Sequence, residues 1–408
     1  MMHVKQVYKV GGAVRDELLG LPAKDEDFVA IGFTVQEFLD MGYEQVGKDF
    51  PVFLHPVTHH EYALARRERS TGNSYLDFTV DTSNVSLEED LSRRDLTINA
   101  IAKDSDGNYI DPYNGIKDLN GKILRHVSDA FKEDPVRVLR IARFKARYGY
   151  EWRIHPTTKL LVDTMHEQLK ALQPDRVFKE AYNAMREPNP ELFFKALDEM
   201  QVLHIVFPEI ADLKSYREGS VWHNEPNVFE HTMMMLRKTD DPTVRWMALY
   251  HDICKPVCRR LYGNGAGHDS AELAEPLVNL KMPSKLKERI LFAIDNHIPI
   301  AQAAEYELSP RKIAKLFKSL RKDRELLLQL VELCKIDKLS SNRIKQLPEL
   351  DFDWLIEAFD KCCEFSPKDW IQPEHSPEVI KQYIHQNYIR ITKEEYRNSK
   401  KDFNDHTT

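Results

Sequence analysis

The sequence predicts an α+β protein, in which an N-terminal head with a small mixed or antiparallel sheet and helices precedes an all-helical neck, body and tail. Three observations carry this prediction. The apolar run Val7 to Val10 breaks at Gly11-Gly12 and is followed by a helical stretch that ends at Gly20. Up to about Val127, short β-rich runs (Val52-Phe53-Leu54, Tyr62-Ala63-Leu64-Ala65, Ile123-Leu124) alternate with turn signals such as Asp106-Gly107-Asn108 and Asn120-Gly121. From Asp134 onward the periodicity is helical, punctuated by Glu187-Pro188-Asn189-Pro190 and Phe207-Pro208. A chain of 408 residues exceeds one core. Four segments are expected: a head over 1–127, a helical neck over 128–210, a helical domain over 211–330 and a helical tail over 331–408.

The first strand and helix imply a phosphate cradle. A glycine pair at the start of a helix lets backbone amides approach an anion without a Cβ in the way. Asp25 and Asp27 stand two apart just before the apolar run Phe28 to Ile31. On a strand, residues two apart share a face, and two carboxylates entering a core there want a cation such as Mg2+. Taken alone, a Gly-Gly turn is more often a plain strand-to-helix connection, and an Asp-x-Asp more often a solvated strand face.

Composition narrows the classes. Charged residues are 30% and hydrophobic ones 42% of the chain, as in an ordinary globular protein. No stretch approaches the roughly 18 apolar residues of a membrane span and no signal-peptide core is present, so a cytoplasmic protein without a membrane partner is expected. Cys254, Cys258, Cys334, Cys362 and Cys363 make no zinc-like pairs and read as reduced thiols. The net charge of -7, with 20 basic against 24 acidic side chains in residues 1–150, excludes a generally basic coat. Any polyanion must be held by a local patch.

Three further stretches stand out in the head and neck. The polar run Arg67 to Ser74 reads equally as a surface hairpin loop or as a mobile loop over a site. Arg93 and Arg94 are expected on the first turns of a helix whose Leu96, Ile98 and Ala100 face the core; they suit a surface ion-pair cluster or a triphosphate contact. After Asp134-Pro135, a helix is expected with Val138, Leu139, Ile141 and Ala142 on one side and Arg137, Arg140 and Arg143 on the other. Asp134 suits the N-cap. Like charges repeated along a face cost stability without a partner, so these arginines point to an anionic or hydrogen-bonding ligand. An arginine fork beside an aspartate can read the edge of a base.

In order, VGGAVRD, Asp25-Glu26-Asp27, Arg93-Arg94-Asp95 with Asn99, and Glu133-Asp134-Pro135-Val136-Arg137 resemble the motifs of bacterial class II tRNA nucleotidyltransferases, the CCA-adding enzymes. Gly47 to Leu54 and Asp111-Pro112-Tyr113-Asn114-Gly115 fit as well, and the likeness continues more weakly to about residue 300. The resemblance implies addition of the 3'-terminal CCA of tRNA from CTP and ATP, with pyrophosphate released. Asp25 and Asp27 would ligate Mg2+. Gly12, Arg15 and Arg94 would hold the phosphates and sugar. Asp134 and Arg137 would pair with the base, supported by Arg140 and Arg143, and 66–78 would be the flexible loop that switches C to A addition. Glu61 is the candidate third carboxylate.

The helical half holds a second constellation: Glu230-His231-Thr232, His251-Asp252-Ile253-Cys254-Lys255, Gly267-His268-Asp269 and Asp295-Asn296-His297. His251-Asp252 resembles the metal core of HD phosphohydrolases, and His with Asp suits a divalent transition metal. His231, His251, Asp252 and His268 are the candidate ligands. The chain departs from that pattern at Cys254, where relatives carry Gly, and at Ile298, where they carry Asp, which leaves Asp295 as the substitute carboxylate. Two other activities are weighed: a poly(A) polymerase or partial CC- or A-adding enzyme, and an HD-type phosphohydrolase with a nucleotide-sensing head.

Overall fold

The computed structural model describes residues 5–22, 26–46, 52–70, 78–81, 85–216, 226–263, 270–340 and 350–406. The chain divides into two compact units, residues 1–206 and 207–408.

In the first unit the expected strand and helix are β1 (Gln6–Val10) and α1 (Gly12–Leu18). Gly11 between them holds φ at +71°, a conformation that favours glycine. There follow β2 (Asp27–Ile31), α2 (Val35–Asp40), β3 (Glu44–Val46), β4 (Val52–Leu54), β5 (Glu61–Leu64), β6 (Arg67–Ser70), β7 (Phe78–Asp81), α3 (Leu87–Ser92), β8 (Ala102–Lys103) and β9 (Tyr109–Ile110). Among the described residues, seven strands form one sheet in the order β3-β4-β5-β2-β1-β8-β9. Its pairings are antiparallel except β2 with β5, which run parallel and set Asp27 opposite Glu61 and Val29 opposite Ala63.

Alternation along β2 buries both sheet faces. Val29 joins Tyr8, Val10, Leu91, Ala100 and Ala102 in one cluster. Ala30 turns the other way, onto Phe38, Phe53 and Leu64. Asp27 shares the face of Val29.

Two expectations in this region are corrected. Arg67 to Ser70 is not loop: β6 pairs antiparallel with β7, so this stretch forms one arm of a two-stranded hairpin, while 71–77 lie outside the described residues. Arg93 and Arg94 do not open a helix but follow one, α3, whose capping box of Ser86 and Glu89 fixes its start at Leu87. Leu96, Ile98 and Ala100 are nonetheless fully buried, on the extended and 3-10 segment that follows.

The unit continues through α4 (Gly115–Asn120), β10 (Ile123–Leu124), α5 (Val136–Tyr148), β11 (Arg153–Ile154), α6 (Pro156–Asp163), α7 (His166–Lys170), α8 (Pro174–Ala184), α9 (Glu191–Glu199) and α10 (Leu203–Val206). Helix α5 buries Val136, Val138, Leu139, Ile141, Ala142 and Phe144, as its periodicity requires. The strand β11 interrupts the expected run of helices. Gly149, at φ +89°, ends α5, and the returning chain pairs in parallel with β10.

The second unit is helical in its described residues: α11 (Pro208–Asp212), α12 (Val228–Leu236), α13 (Pro242–Tyr250), α14 (Lys255–Tyr262), α15 (Ala271–Ala274), α16 (Ser284–Ala304), α17 (Pro310–Ser319), α18 (Arg324–Ser340), α19 (Asp353–Glu364) and α20 (Pro377–His406). Helices α12, α13, α16 and α18 pack together, and α17, α19 and α20 form a second group. No helix among the described residues is long and apolar enough to cross a membrane.

Candidate active site

A cavity of about 820 Å³ opens in the first unit between the β1–α1 turn, the segment after α3, and the faces of α5 and α8. Its wall brings together Gly12, Arg15, Asp27, Arg94, Asp134, Arg137, Arg140 and Arg143 of the sequence candidates. Asp25 lies outside the described residues.

At the glycine turn the cradle is tight. A Cβ on Gly11 would stand 3.0 Å from Arg94 Nη1 and 3.9 Å from Asp27 Oδ2, so a side chain there would push aside the arginine. Arg94 itself reaches Asp90 at 3.4 Å, and Asp90 is fully buried beneath it and also binds Arg93. The fold thus aims Arg94 along the turn towards the acidic end of β2. Glu61 lies beside Asp27 on the neighbouring strand and, by the parallel register, on the same face. Two hard oxygen donors on one face are the donor set that Mg2+ takes.

Arg15 lines the cavity beside Gly12 and is also anchored within the fold. It is 4% exposed, donates to Asp16 Oδ1 at 2.9 Å and Asn99 Oδ1 at 2.5 Å, and lies over the Phe144 ring at 5.2 Å. Its charge is largely consumed in tying α1 to α5 and to the segment after α3.

The arginine face of α5 also differs from its sequence reading. The expected like-charge penalty is answered by acids from elsewhere in the chain. Arg140 donates to Asp95 at 2.8 Å, Arg143 to Glu180 at 2.8 Å, and Arg147 to Asp16 at 3.3 Å. Arg137 donates Nη1 to the carbonyl of Ala130 at 2.6 Å, which fixes its fork at the start of the helix. Asp134 accepts from the Val136 amide at 3.1 Å, so it does serve the helix start, while its other oxygen accepts from Arg176 at 2.8 Å. Arg176, Lys179 and Glu180 of α8 were not singled out from sequence. A charged helix start after Pro174 looks like any surface helix, and only folding brings it to α5.

Asp95 is the electrostatic pivot of this wall. It accepts from the Leu96 amide, Asn99 Nδ2 and Arg140 Nε, each at 2.8 Å. Burial pushes its carboxyl up, but the Arg140 guanidinium and these donors outweigh burial and hold it at about 2. A carboxylate whose folded value lies below its unfolded one adds stability that is present above the unfolded value, near 4, and lost as pH falls towards 2. The size is at most about 2 kcal/mol, because Arg140 is partly open to solvent. Urea unfolding of the native chain should therefore weaken between pH 5 and pH 2.5 more steeply than that of Asp95→Asn. Parallel curves for the two proteins would refute this role.

A second cluster lies within the helical unit. Ligand atoms of His231, His251 and Asp252 fall within 4.8 Å of one another, and all three residues are buried. A fourth side chain that sequence reasoning missed, Asp337 of α18, sets Oδ1 3.0 Å from His231 Nε2. Asp295, the expected substitute carboxylate, instead accepts from the Ala271 amide at 2.7 Å and caps α15. His297 packs on His251 with ring centroids 5.6 Å apart. His268 lies outside the described residues. Burial pushes His251 down, but Asp252 and Asp337 outweigh it and carry it up to about 9. Lys255, 2.8 Å from Asp252, neutralises the second carboxylate.

Residues 7–125 match the family described as "Poly A polymerase head domain", and residues 152–214 the family described as "Probable RNA and SrmB- binding site of polymerase A". With its mixed sheet, glycine turn and acidic strand, the stretch 7–125 is a nucleotidyltransferase head of the polymerase A type. More particularly, the chain has the architecture of the CCA-adding enzymes. A solved CCA-adding enzyme in an apo form is 18% identical, with a TM-score of 0.62 over 97% of this chain and 92% of the other. A tRNA-processing enzyme with CTP is 20% identical, with a TM-score of 0.58 over 96% of each chain. The Thermotoga maritima CCA-adding enzyme complexed with tRNA is 18% identical, with a TM-score of 0.59 over 97% and 91%.

Proposed function

We propose that this chain adds and repairs the 3'-terminal CCA of tRNA using CTP and ATP, without a nucleic-acid template. The single observation that carries the reading is the joining of two walls in one cavity: the glycine turn with Asp27 and Arg94, and the Asp134, Arg137 and Arg140 side of α5. One wall suits a triphosphate and the other suits a base edge. A polymerase that selects its nucleotide by protein side chains needs both. Similar solved proteins are described with CTP, with ATP and with tRNA.

Asp25 and Asp27, with Glu61 as a third carboxylate, would hold Mg2+. When bound, the metal supplies charge neutralisation at the transferring phosphate and a more acidic 3'-hydroxyl. The protein does the positioning. Gly12 and the Gly11 turn offer backbone amides without a Cβ, and Arg94 places a cation on the phosphates. Asp134 offers acceptors and Arg137 offers donors to the base, and Arg140 is held in line by Asp95. Arg15 acts beneath this floor by fixing α1. Residues 66–78, whose described part includes residues of the paired strands β6 and β7, would serve the switch from C to A addition. The parts of the chain would work as a catalytic head over 1–127 and a base-reading, RNA-contacting neck over 128–210, and the protein would be cytoplasmic.

The test is primer extension on tRNA ending before, within and after CCA, with each nucleotide supplied separately. CTP then ATP should be incorporated and synthesis should stop at CCA. Long A tracts on generic RNA would make the protein a poly(A) polymerase, and a stop after CC or a need for CC ends would make it a partial-adding enzyme.

The cluster of His231, His251, Asp252 and Asp337 supports a second reading for the helical unit, a phosphohydrolase site for a divalent transition metal that extends past the expected 211–330 segment to Asp337 on α18. Hydrolysis of a 2',3'-cyclic phosphate in the presence of Mn2+, Co2+ or Ni2+ is then expected to fall at least about a hundredfold in His251→Ala and to persist in Asp27→Ala. Equal activity in wild type and His251→Ala would remove it.

A further inference from the structure

Asn99 lines the cavity and is 6% exposed, yet the proposed chemistry gives it nothing to hold. It ends the 3-10 segment that follows Leu96, and there it faces a cation on one side and an anion on the other. Its Oδ1 accepts from Arg15 Nη1 at 2.5 Å, and its Nδ2 donates to Asp95 Oδ1 at 2.8 Å. A guanidinium only donates and an ionised carboxylate only accepts, so the amide fits in one orientation. Aspartate in its place would set a second carboxylate against Asp95, and an apolar side chain would leave both neighbours short of a partner.

The link runs on from both sides of Asn99 until it closes on α5. Arg15 binds Asp16 at 2.8 Å, and Asp16 binds Arg147 at 3.3 Å. On the other side Asp95 accepts from Arg140 at 2.8 Å. Arg140 and Arg147 stand about two turns apart on one face of α5, so the side chains form a ring that leaves that helix and returns to it. Asn99 is its neutral member. The guanidiniums of Arg15 and Arg140, on either side of the amide, also share the Phe144 ring, at 5.2 and 5.9 Å from its centroid.

Stability alone does not ask for such a ring. Buried ion pairs add little over apolar packing of the same volume, so what they offer here is a fixed geometry. That geometry joins two different parts of the cavity. Arg15 belongs to the glycine turn, where a Cβ on Gly12 would stand 3.5 Å from its Nη2. Arg140 belongs to the α5 face that carries Arg137.

We infer that Asn99 is a positioning residue for nucleotide selection, coupling the wall that takes the triphosphate to the wall that reads the base. The inference rests on the CCA-adding reading for the identity of those two walls. Asn99 acts through Arg15 and Asp95 and not by holding the nucleotide. With the span between the walls fixed, a base that pairs with Asp134 and Arg137 brings its own triphosphate to the glycine turn. An error of about 1 Å in such a span costs about a hundredfold in rate.

The experiment uses the full chain and a tRNA transcript lacking CCA. Single-turnover incorporation of each nucleotide is measured for wild type, Asn99→Asp, Asn99→Ala and the exchanged pair D95N/N99D. Inhibition by tripolyphosphate, which carries no base, reads the phosphate wall alone. Wild type should incorporate CTP and ATP. Asn99→Asp and Asn99→Ala should each lose at least about tenfold in preference for CTP and ATP over UTP and GTP, with tripolyphosphate inhibition within about twofold of wild type. The exchanged pair keeps the wild-type charge and again sets a donor opposite an acceptor between positions 95 and 99. It gives up the carboxylate that the Leu96 amide uses, so it should recover part of the lost preference, at least about threefold over Asn99→Asp. Thermal melting accompanies each variant, and where Asn99→Asp does not fold, Asn99→Ala carries the comparison with the exchanged pair. A wild type that incorporates neither CTP nor ATP overturns the CCA-adding reading itself. A wild type that incorporates both, beside Asn99 variants of equal preference, overturns the coupling role alone. Loss of tripolyphosphate inhibition in step with preference would also overturn it, by showing that Asn99 serves only the phosphate cradle, and so would an exchanged pair no better than the single variant.

Discussion

Asp27→Ala should lower CTP and ATP incorporation on tRNA by about a thousandfold or more while leaving the melting temperature nearly unchanged. Neutralising charge at a transferring phosphate is worth several kcal/mol, and each 1.4 kcal/mol is tenfold in rate. Asp27 sits at the start of β2, where backbone pairing with Val10 and Glu61 does not depend on its side chain. Its carboxylate is half-buried on the cavity wall and outside the apolar clusters, so its removal creates no cavity. Asp25→Ala should match it. Single-turnover incorporation and a thermal melt on the same preparation check both halves. Normal incorporation by Asp27→Ala would refute the metal assignment, and a collapsed melt would mean that the carboxylate is structural.

The second large effect is on nucleotide choice. Asp134→Ala and Arg137→Ala should each cost about a hundredfold in the preference for CTP and ATP over UTP and GTP, because a site built to hydrogen-bond a base rejects one that leaves its groups unpaired. Arg176→Ala should move preference the same way but less, since it removes only the guanidinium that holds Asp134 Oδ2 at 2.8 Å. Incorporation of each nucleotide onto the same tRNA, expressed as a ratio, is the measurement. A loss shared equally by all four nucleotides would show that these residues position the helix start, where Asp134 also accepts from the Val136 amide.

These effects depend unequally on what could be read in the chain. The strand, glycine turn and helix at residues 6–18 were legible, because a β run, two glycines and a helical period occur within thirteen residues. The amphipathic character of α5 was legible for the same reason. Its electrostatic meaning was not. The arginine row looked unneutralised, yet Asp95, Asp16 and Glu180 reach it from segments 45, 131 and 37 residues away. Asp337 was missed in the same manner. It stands 106 residues from His231, while the nearer Asp295 had the right chemistry and turned out to cap a helix.

By itself the sequence determined the class of the protein and supplied the candidates for its site: an α+β head with a glycine turn and an Asp-x-Asp pair, an arginine-faced helix, and a helical remainder. Local periodicity and residue chemistry act over a few residues, so they survive without coordinates. Only the tertiary structure decided which strand lies beside Asp27, which acids restrain the arginines, and which arginine holds Asp134. Each of those depends on pairing between distant segments. Loop closure and burial govern such pairing, and no short stretch of residues records it.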